Sequence, residues 1–265
     1  MLVCAALALA WANSPWAPAY HALWEHELGF DSRAIGLSLT LHDWVNDGLM
    51  AVFFLLVGLE VKRELLIGEL SAMRTAALPV AAAIGGMLVP AAIYAALNHG
   101  GVGARGWGIP MATDIAFALG ILALLGEGLP AGLRILLAAI AIADDLGAVI
   151  VIAMFYTTNL VWGALGGAAL VMVVLVALNL AGVSRATVYV AVGIVLWLFV
   201  LLSGVHATIA GVLLAFVIPA RARTRDVPRA ALLQRMEAAL HAPVAFVIMP
   251  IFALANAGIA LGSAL

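Results

Sequence analysis

The sequence predicts an all-α, polytopic helical membrane protein with an interrupted helix and about nine spans, and three observations carry that reading. Of 265 residues, 66% are hydrophobic and 10% charged, at a mean hydropathy of +1.18. A soluble domain carries about 25% charged residues. The apolar residues fall in runs of roughly 17–25, the length of a spanning helix. They lack the alternation of barrel strands, which excludes an outer-membrane barrel. Finally, acids stand inside those runs: Asp144 and Asp145 between Leu133 and Tyr156, and Asp114 after Thr113 in the run before. An ionised side chain at the bilayer centre costs on the order of 3 kcal/mol on insertion scales.

The elements follow in order. Residues 1–12 are too short to cross and lack the basic start of a signal peptide, so they are expected to be the remaining part of a first span. Residues 13–42 form a long outer segment carrying His21, Glu25, His26, Glu27 and Asp31. Without a His-x-x-x-His spacing this is expected to be a solvated loop rather than a metal site, and it could pair with a second copy of itself in a dimer. Spans are expected at 44–61, 75–97, 107–125, 133–156 and 160–181. Gly101 to Gly106 matches G-x-G-x-x-G, but no strand precedes it and no βαβ unit surrounds it, so a flexible loop is expected. Ala186 to Pro219 would be about 51 Å long as one helix, against a hydrocarbon core of about 30 Å. It therefore reads as two spans, 187–203 and 204–219, broken at Ser203-Gly204. A last span covers 240–262.

Orientation follows from charge. With a cytoplasmic N-terminus, Lys62, Arg63, Arg74, Arg134, Arg185, Arg221, Arg223, Arg225, Arg229 and Arg235 fall inside, and only Arg33 and Arg105 outside. That satisfies the positive-inside rule. Trp11, Trp16, Trp24, Trp44, Trp107 and Trp162 then gather at the outer ends, as an interfacial belt would. The net charge of −2 gives no reason to invoke nucleic acid, and the lone Cys4 permits no intrachain disulfide.

The acids carry the chemistry. Neighbours on a helix point about 100° apart, so Asp144 and Asp145 cannot both face one small site. No basic residue lies mid-span in this sequence, so one aspartate is expected to be protonated or to find its partner outside the chain. Asp114 follows Pro110 and Thr113 in a segment rich in helix breakers. Interrupted helices at mid-depth are a recurrent way to build ion sites in transporters. Thr113, Asp114 and the aspartate pair supply hard oxygen ligands of the kind an alkali cation prefers. Carboxylates that accept a proton and a cation in turn, titrating as a coupled unit, make an exchanger's site. Glu60 and Glu64 share a helix face beside Lys62 and Arg63, either as an interfacial charge cluster or as a cation-attracting, pH-sensing mouth. His206 sits at the Ser203-Gly204 break, where it can sense pH or simply pack helices. Asn179 is expected to bridge helices. A distant alternative is an intramembrane aspartyl protease using Asp114 and Asp145, although Ile142-Ala143 stand where its Gly-x-Gly-Asp signature would be.

Several stretches, in order, resemble the NhaA-type sodium/proton antiporter family over nearly the whole chain. They are 46–64 (from Asn46-Asp47-Gly48-Leu49 to Val61-Lys62-Arg63-Glu64), Ala112-Thr113-Asp114 through Gly120, and Asp144-Asp145-Leu146-Gly147-Ala148. Ser203-Gly204-Val205-His206-Ala207-Thr208 and Phe252 to Gly258 complete the set. The resemblance implies a multi-pass bacterial inner-membrane exchanger taking protons in and extruding Na⁺ or Li⁺, with no cofactor and no enzymatic activity. Its ion and proton site would be Asp144 and Asp145, the latter the principal ligand of the transported cation, beside Thr113 and Asp114. Asp47, Glu60, Glu64, His206, Glu237 and His241 match positions tied to the cation path or the pH response. Residues 1–265 would form a single integral membrane domain, with 75–156 the first inverted repeat of the core and 1–61 and 160–262 scaffold or interface helices. The resemblance also implies three further helices, with the second repeat and a lysine partner for Asp144. The chain is therefore expected to be truncated, and an inactive fragment is the alternative reading.

Overall fold

The computed structural model describes residues 1–32, 35–111, 122, 131–155, 160–220 and 232–260. The protein is mostly helical. Helices α1 (Leu2–Ala12) and α2 (Ala17–Trp24) lead into a hairpin, β1 (Glu27–Ser32) and β2 (Ile35–Thr40). A single turn α3 (Leu41–Asp43) and a π turn (Trp44–Leu49) continue directly into α4 (Met50–Ile67). Then come α5 (Met73–Leu97), a 3₁₀ segment (Val102–Met111), α6 (Ala131–Phe155), α7 (Trp162–Leu180), α8 (Ala186–Leu202) and α9 (Ile209–Val217). A final rod joins α10 (Leu232–Pro243), a second π turn (Val244–Ile248) and α11 (Met249–Asn256).

The hairpin adds a short β element to a mostly helical chain and gives part of the outer segment 13–42 regular structure that the sequence reading did not include. Its strands pair antiparallel, Glu27 opposite Thr40 and Ser32 opposite Ile35. The sequence reason is local: Ile35, Leu37 and Leu39 alternate with Gly36, Ser38 and Thr40, the period of a strand. Thr40 then starts α3 with a capping box, its Oγ1 accepting from the Asp43 N–H while its own N–H donates to Asp43 Oδ2, both at 3.1 Å. The segment expected as a flexible loop at 101–106 lies in the 3₁₀ helix, where the Tyr94 hydroxyl donates to the Gly103 carbonyl.

The break at Ser203-Gly204 is present. Gly204 takes a positive φ of 81°, a conformation that favours glycine, and buried Ser203 donates its hydroxyl to the Val200 carbonyl. The expected span 204–219 is corrected, because the connection uses Ser203–Thr208 and only nine residues of α9 remain helical. That is about 14 Å, less than half a hydrocarbon core.

The main core joins α4, α7, α8, α9 and α10, centred on the fully buried Leu59, Leu175, Tyr189 and Leu196. Helices α4 and α9 approach closely because small residues face each other. A Cβ on Gly211 would collide with the Ala51 carbonyl oxygen, and one on Gly58 would lie 2.7 Å from Ala215 Cβ. Such small-residue contacts drive helix association in lipid. Asn179 bridges α7 to α9 as expected, donating to the Val217 carbonyl. Met73–Leu97, Trp162–Leu180 and Leu232–Asn256 are each long and apolar enough to cross a membrane. Their outward side chains, including Leu78, Leu88, Ile93, Leu170 and Val173, are exposed, as lipid-facing residues are.

Candidate functional site

Helix α6 is about 38 Å long at 1.5 Å per residue and carries Asp144 and Asp145 just past its middle. Asp144 is 3% exposed, while Asp145 is half-buried; neighbours on a helix point about 100° apart. On one side α6 meets α4 through Ile142, Val57 and Val61. On another it meets α5, where a Cβ on Gly147 would collide with Met87 Sδ. Both aspartates make a polar or electrostatic contact within the chain. Thr113 and Asp114 lie outside the described residues. The approach to them, through Pro110, is 3₁₀ rather than α-helical as far as Met111.

The remaining expected residues form two groups, one at the start of α4 and one in its second half, with Asp47 and Glu60 about 20 Å apart along the axis at 1.5 Å per residue. At the first end Asp47 lies within electrostatic reach of His206, His42 and Asp43. The Asp47 carbonyl accepts from Trp197 Nε1 at 2.7 Å, and Trp197 stacks on Trp44. The Ser203–Thr208 connection between α8 and α9 therefore delivers His206 to the π turn that bears Asp47.

At the second end Glu60 is within electrostatic reach of Glu237, His241 and Arg63. Arg63 Nε donates to Glu237 Oε1 at 3.0 Å. Three residues drawn from two distant stretches, Glu60 on α4 and Glu237 and His241 on α10, are thereby brought together. Glu64 stands one turn further on, next to Gly68, whose N–H donates to the Glu64 carbonyl.

Sequence reasoning misses four contributors. Lys62 Nζ donates to the carbonyls of Phe216 at 2.7 Å and Ile218 at 2.5 Å, capping the C-terminus of α9. Helix C-termini present such unsatisfied carbonyls to cations, and the Pro219 that follows α9 marks where it stops. Arg63 enters the sequence reading as a topological charge and a neighbour of Glu60 and Glu64, but not as the partner of Glu237. Asn46 and Asn256 stand in the matched stretches as polar exceptions in apolar runs: Asn256 Nδ2 donates to Asn46 Oδ1 at 3.0 Å.

Comparison with known proteins identifies relatives of the chain. The model of a family described as Na+/H+ antiporter 1 matches residues 1–265. The Na(+)/H(+) antiporter NhaA of Oleidesulfovibrio alaskensis is 51% identical over 98% of this chain and 67% of its own length. Na(+)/H(+) antiporter NhaA 2 of Novosphingobium aromaticivorans is 55% identical over 99% of this chain and 66% of its own length. An Escherichia coli NhaA is 51% identical over 98% of this chain and 67% of its own length. The chain thus spans about two thirds of the length of the curated relatives it matches. A match from the first residue to the last, joined to identities above half, means that the chain belongs to the Na+/H+ antiporter 1 family.

Proposed function

We propose that this chain exchanges Na⁺ or Li⁺ for protons across the bacterial inner membrane by alternating access, as a transporter and not an enzyme. The observation that carries the reading is Asp144, 3% exposed on a 25-residue apolar helix, beside Asp145 in a chain of this family. Asp145 is the principal ligand of the transported cation, Asp144 the proton-exchanging member, and Thr113 and Asp114 belong to the interrupted helix beside them. Asp47 and His206 at one end, with Glu60, Glu64, Glu237 and His241 at the other, serve the cation path and the pH response. Residues 75–156 form the ion-binding core unit and 1–61 with 160–262 the scaffold. The N-terminus is cytoplasmic, about nine segments traverse or enter the bilayer, and a homodimer forms through 13–42, where the hairpin lies.

Competition drives the cycle. A deprotonated site facing the cytoplasm takes Na⁺, and the same carboxylates facing outward release it when protons bind. If more than one proton enters per Na⁺, net charge moves inward, and each charge crossing 100 mV supplies about 2.3 kcal/mol, enough for a Na⁺ gradient of about 50-fold. The test is sealed everted vesicles carrying the chain. Adding Na⁺ or Li⁺ should collapse an imposed pH gradient, and Asp145→Asn should abolish that collapse. Undiminished Na⁺-driven proton movement in the variant would overturn the site assignment.

A further inference from the structure

Helix α8 addresses Asp47 twice. From its side the Trp197 indole reaches the π turn, where Nε1 donates to the Asp47 carbonyl at 2.7 Å. Beyond its end the Ser203–Thr208 connection brings His206 within electrostatic reach of the same residue. The Trp197 ring also stacks on Trp44, with centroids 5.8 Å apart and planes inclined by 29°. Gly48 makes room for this stack. A Cβ there would lie 3.3 Å from Trp44 Cε3 and 4.0 Å from Trp197 Cζ2, so a longer side chain would crowd both rings. The turn is thus gripped at Trp44, Asp47 and Gly48 from outside its own helix. Its internal bonds run over five residues, as from the Met50 N–H to the Val45 carbonyl, a geometry found mostly as single turns and often at functional sites. Trp197 is packed on the main core, on the helix that buries Leu196 and Val200. Its ring is therefore a fixed point to which the turn is attached.

We infer that Trp197 is a positioning residue for cation passage, its indole N–H holding the Asp47 peptide so that the Asp47 carboxylate keeps its place at the mouth of the path. The inference rests on the cation-path role proposed for Asp47. The physical link is short. Carbonyl and side chain leave the same Cα, so a peptide fixed by a hydrogen bond leaves only the side-chain torsions to place the carboxylate. An indole nitrogen is a donor only, and an indole set among apolar groups needs an acceptor for its N–H. The Asp47 carbonyl is that acceptor. Ring and N–H have separable parts: the ring holds Trp44 by stacking, and the N–H holds Asp47. A displaced carboxylate attracts the cation less well but leaves the exchanging carboxylates Asp144 and Asp145 as they are. Losing the N–H therefore raises the apparent KM for the cation and spares the maximal rate, the signature of lost binding and not of lost turnover.

Trp197→Phe keeps an aromatic ring against Trp44 and removes the donor. Right-side-out vesicles with a pH indicator trapped inside are given Na⁺ at the face that bears Asp47, the outer one when the N-terminus is cytoplasmic. Proton efflux is followed at about pH 8.5. W197F should raise the apparent KM for Na⁺ about 2–10-fold, the range set by one hydrogen bond, with the maximal rate unchanged. In an Asp47→Asn background the same substitution should change nothing, because the charge that Trp197 places is gone, and a double-mutant cycle reads that coupling. Trp197→His restores a ring N–H at the matching position, is neutral at this pH, and should recover the wild-type KM. Hydrogen exchange on the intact chain in detergent needs no transport: peptides covering 44–52 should exchange about 2–10-fold faster in W197F than in wild type. An unchanged KM in W197F overturns the inference, as does an equal rise in the D47N background or unchanged exchange over 44–52. If the wild-type chain moves no Na⁺, the transport reading falls and the exchange comparison still tests the hold on the turn.

Discussion

Arg63 Nε donates to Glu237 Oε1 at 3.0 Å, tying the end of α4 to α10 across 174 residues of sequence. The two side chains are 40% and 17% exposed, and pairs in contact with water contribute at most about 1 kcal/mol. A double-mutant cycle on Arg63→Ala and Glu237→Ala, read by thermal unfolding in detergent, should therefore give a coupling below about 1 kcal/mol. A coupling of 2 kcal/mol or more would show that the pair is shielded from water.

Lys62 is the more expensive residue to remove. Its ammonium satisfies the last carbonyls of α9, and hydrogen bonds to charged groups are worth about 1.5–3 kcal/mol. Lys62→Met, which keeps most of the apolar stem, should lower stability by about that amount. Unfolding of K62M at the wild-type temperature would contradict the cap.

The contact between α4 and α9 leaves no room for a methyl group at Gly211. A new Cβ would collide with the Ala51 carbonyl oxygen and meet the Leu55 nitrogen at 2.8 Å, and backbone cannot step aside as a side-chain end can. Overpacking costs about 1–3 kcal/mol and occasionally more, so Gly211→Ala should fall at or beyond the top of that range. Gly85→Ala on α5, where nothing lies within 4 Å of the new atom, is the control and should be nearly neutral. Equal yields of monodisperse protein from both variants would refute the close approach.

Tyr20 predicts a pH effect. Its hydroxyl donates to the carbonyls of Leu254 at 2.9 Å and Ala255 at 3.1 Å, holding the segment after α1 to α11. Burial raises its phenol above the ordinary value of 10.0. The folded state thus keeps its proton where the unfolded chain begins to lose it. The contribution of Tyr20 is fully present below about pH 10 and is lost as pH rises through the folded value. Tyr20→Phe should cost about 1 kcal/mol at neutral pH, and its stability should converge on wild type above about pH 10. A constant difference across that range would exclude the linkage.

The long helices are legible because each leaves a run of apolar residues near bilayer thickness, and the break at Ser203-Gly204 is legible from length alone. The hairpin is not, because charges from Glu25 to Asp31 mask the short alternation at 35–40. The π turns at 44–49 and 244–248 leave no periodic mark distinct from an α-helix. For the site, the adjacency of Asp144 and Asp145 is legible as two side chains that point in different directions from one helix. The meeting of Glu60 with Glu237, or of Asp47 with His206, depends on how helices far apart in sequence are laid side by side, which no local pattern records.

The union of α4 with α9 has a mechanical consequence. Glycine contacts bind the two helices along their lengths and Lys62 fastens one end, so they form one rigid strut. His206 stands at the head of α9 and Asp47 at the head of α4, and neither can travel without the other. The strut is bounded by Gly68 at one end and by Gly204 and the π turn at 44–49 at the other, so a displacement that leaves the α4–α9 contact intact carries both helices together.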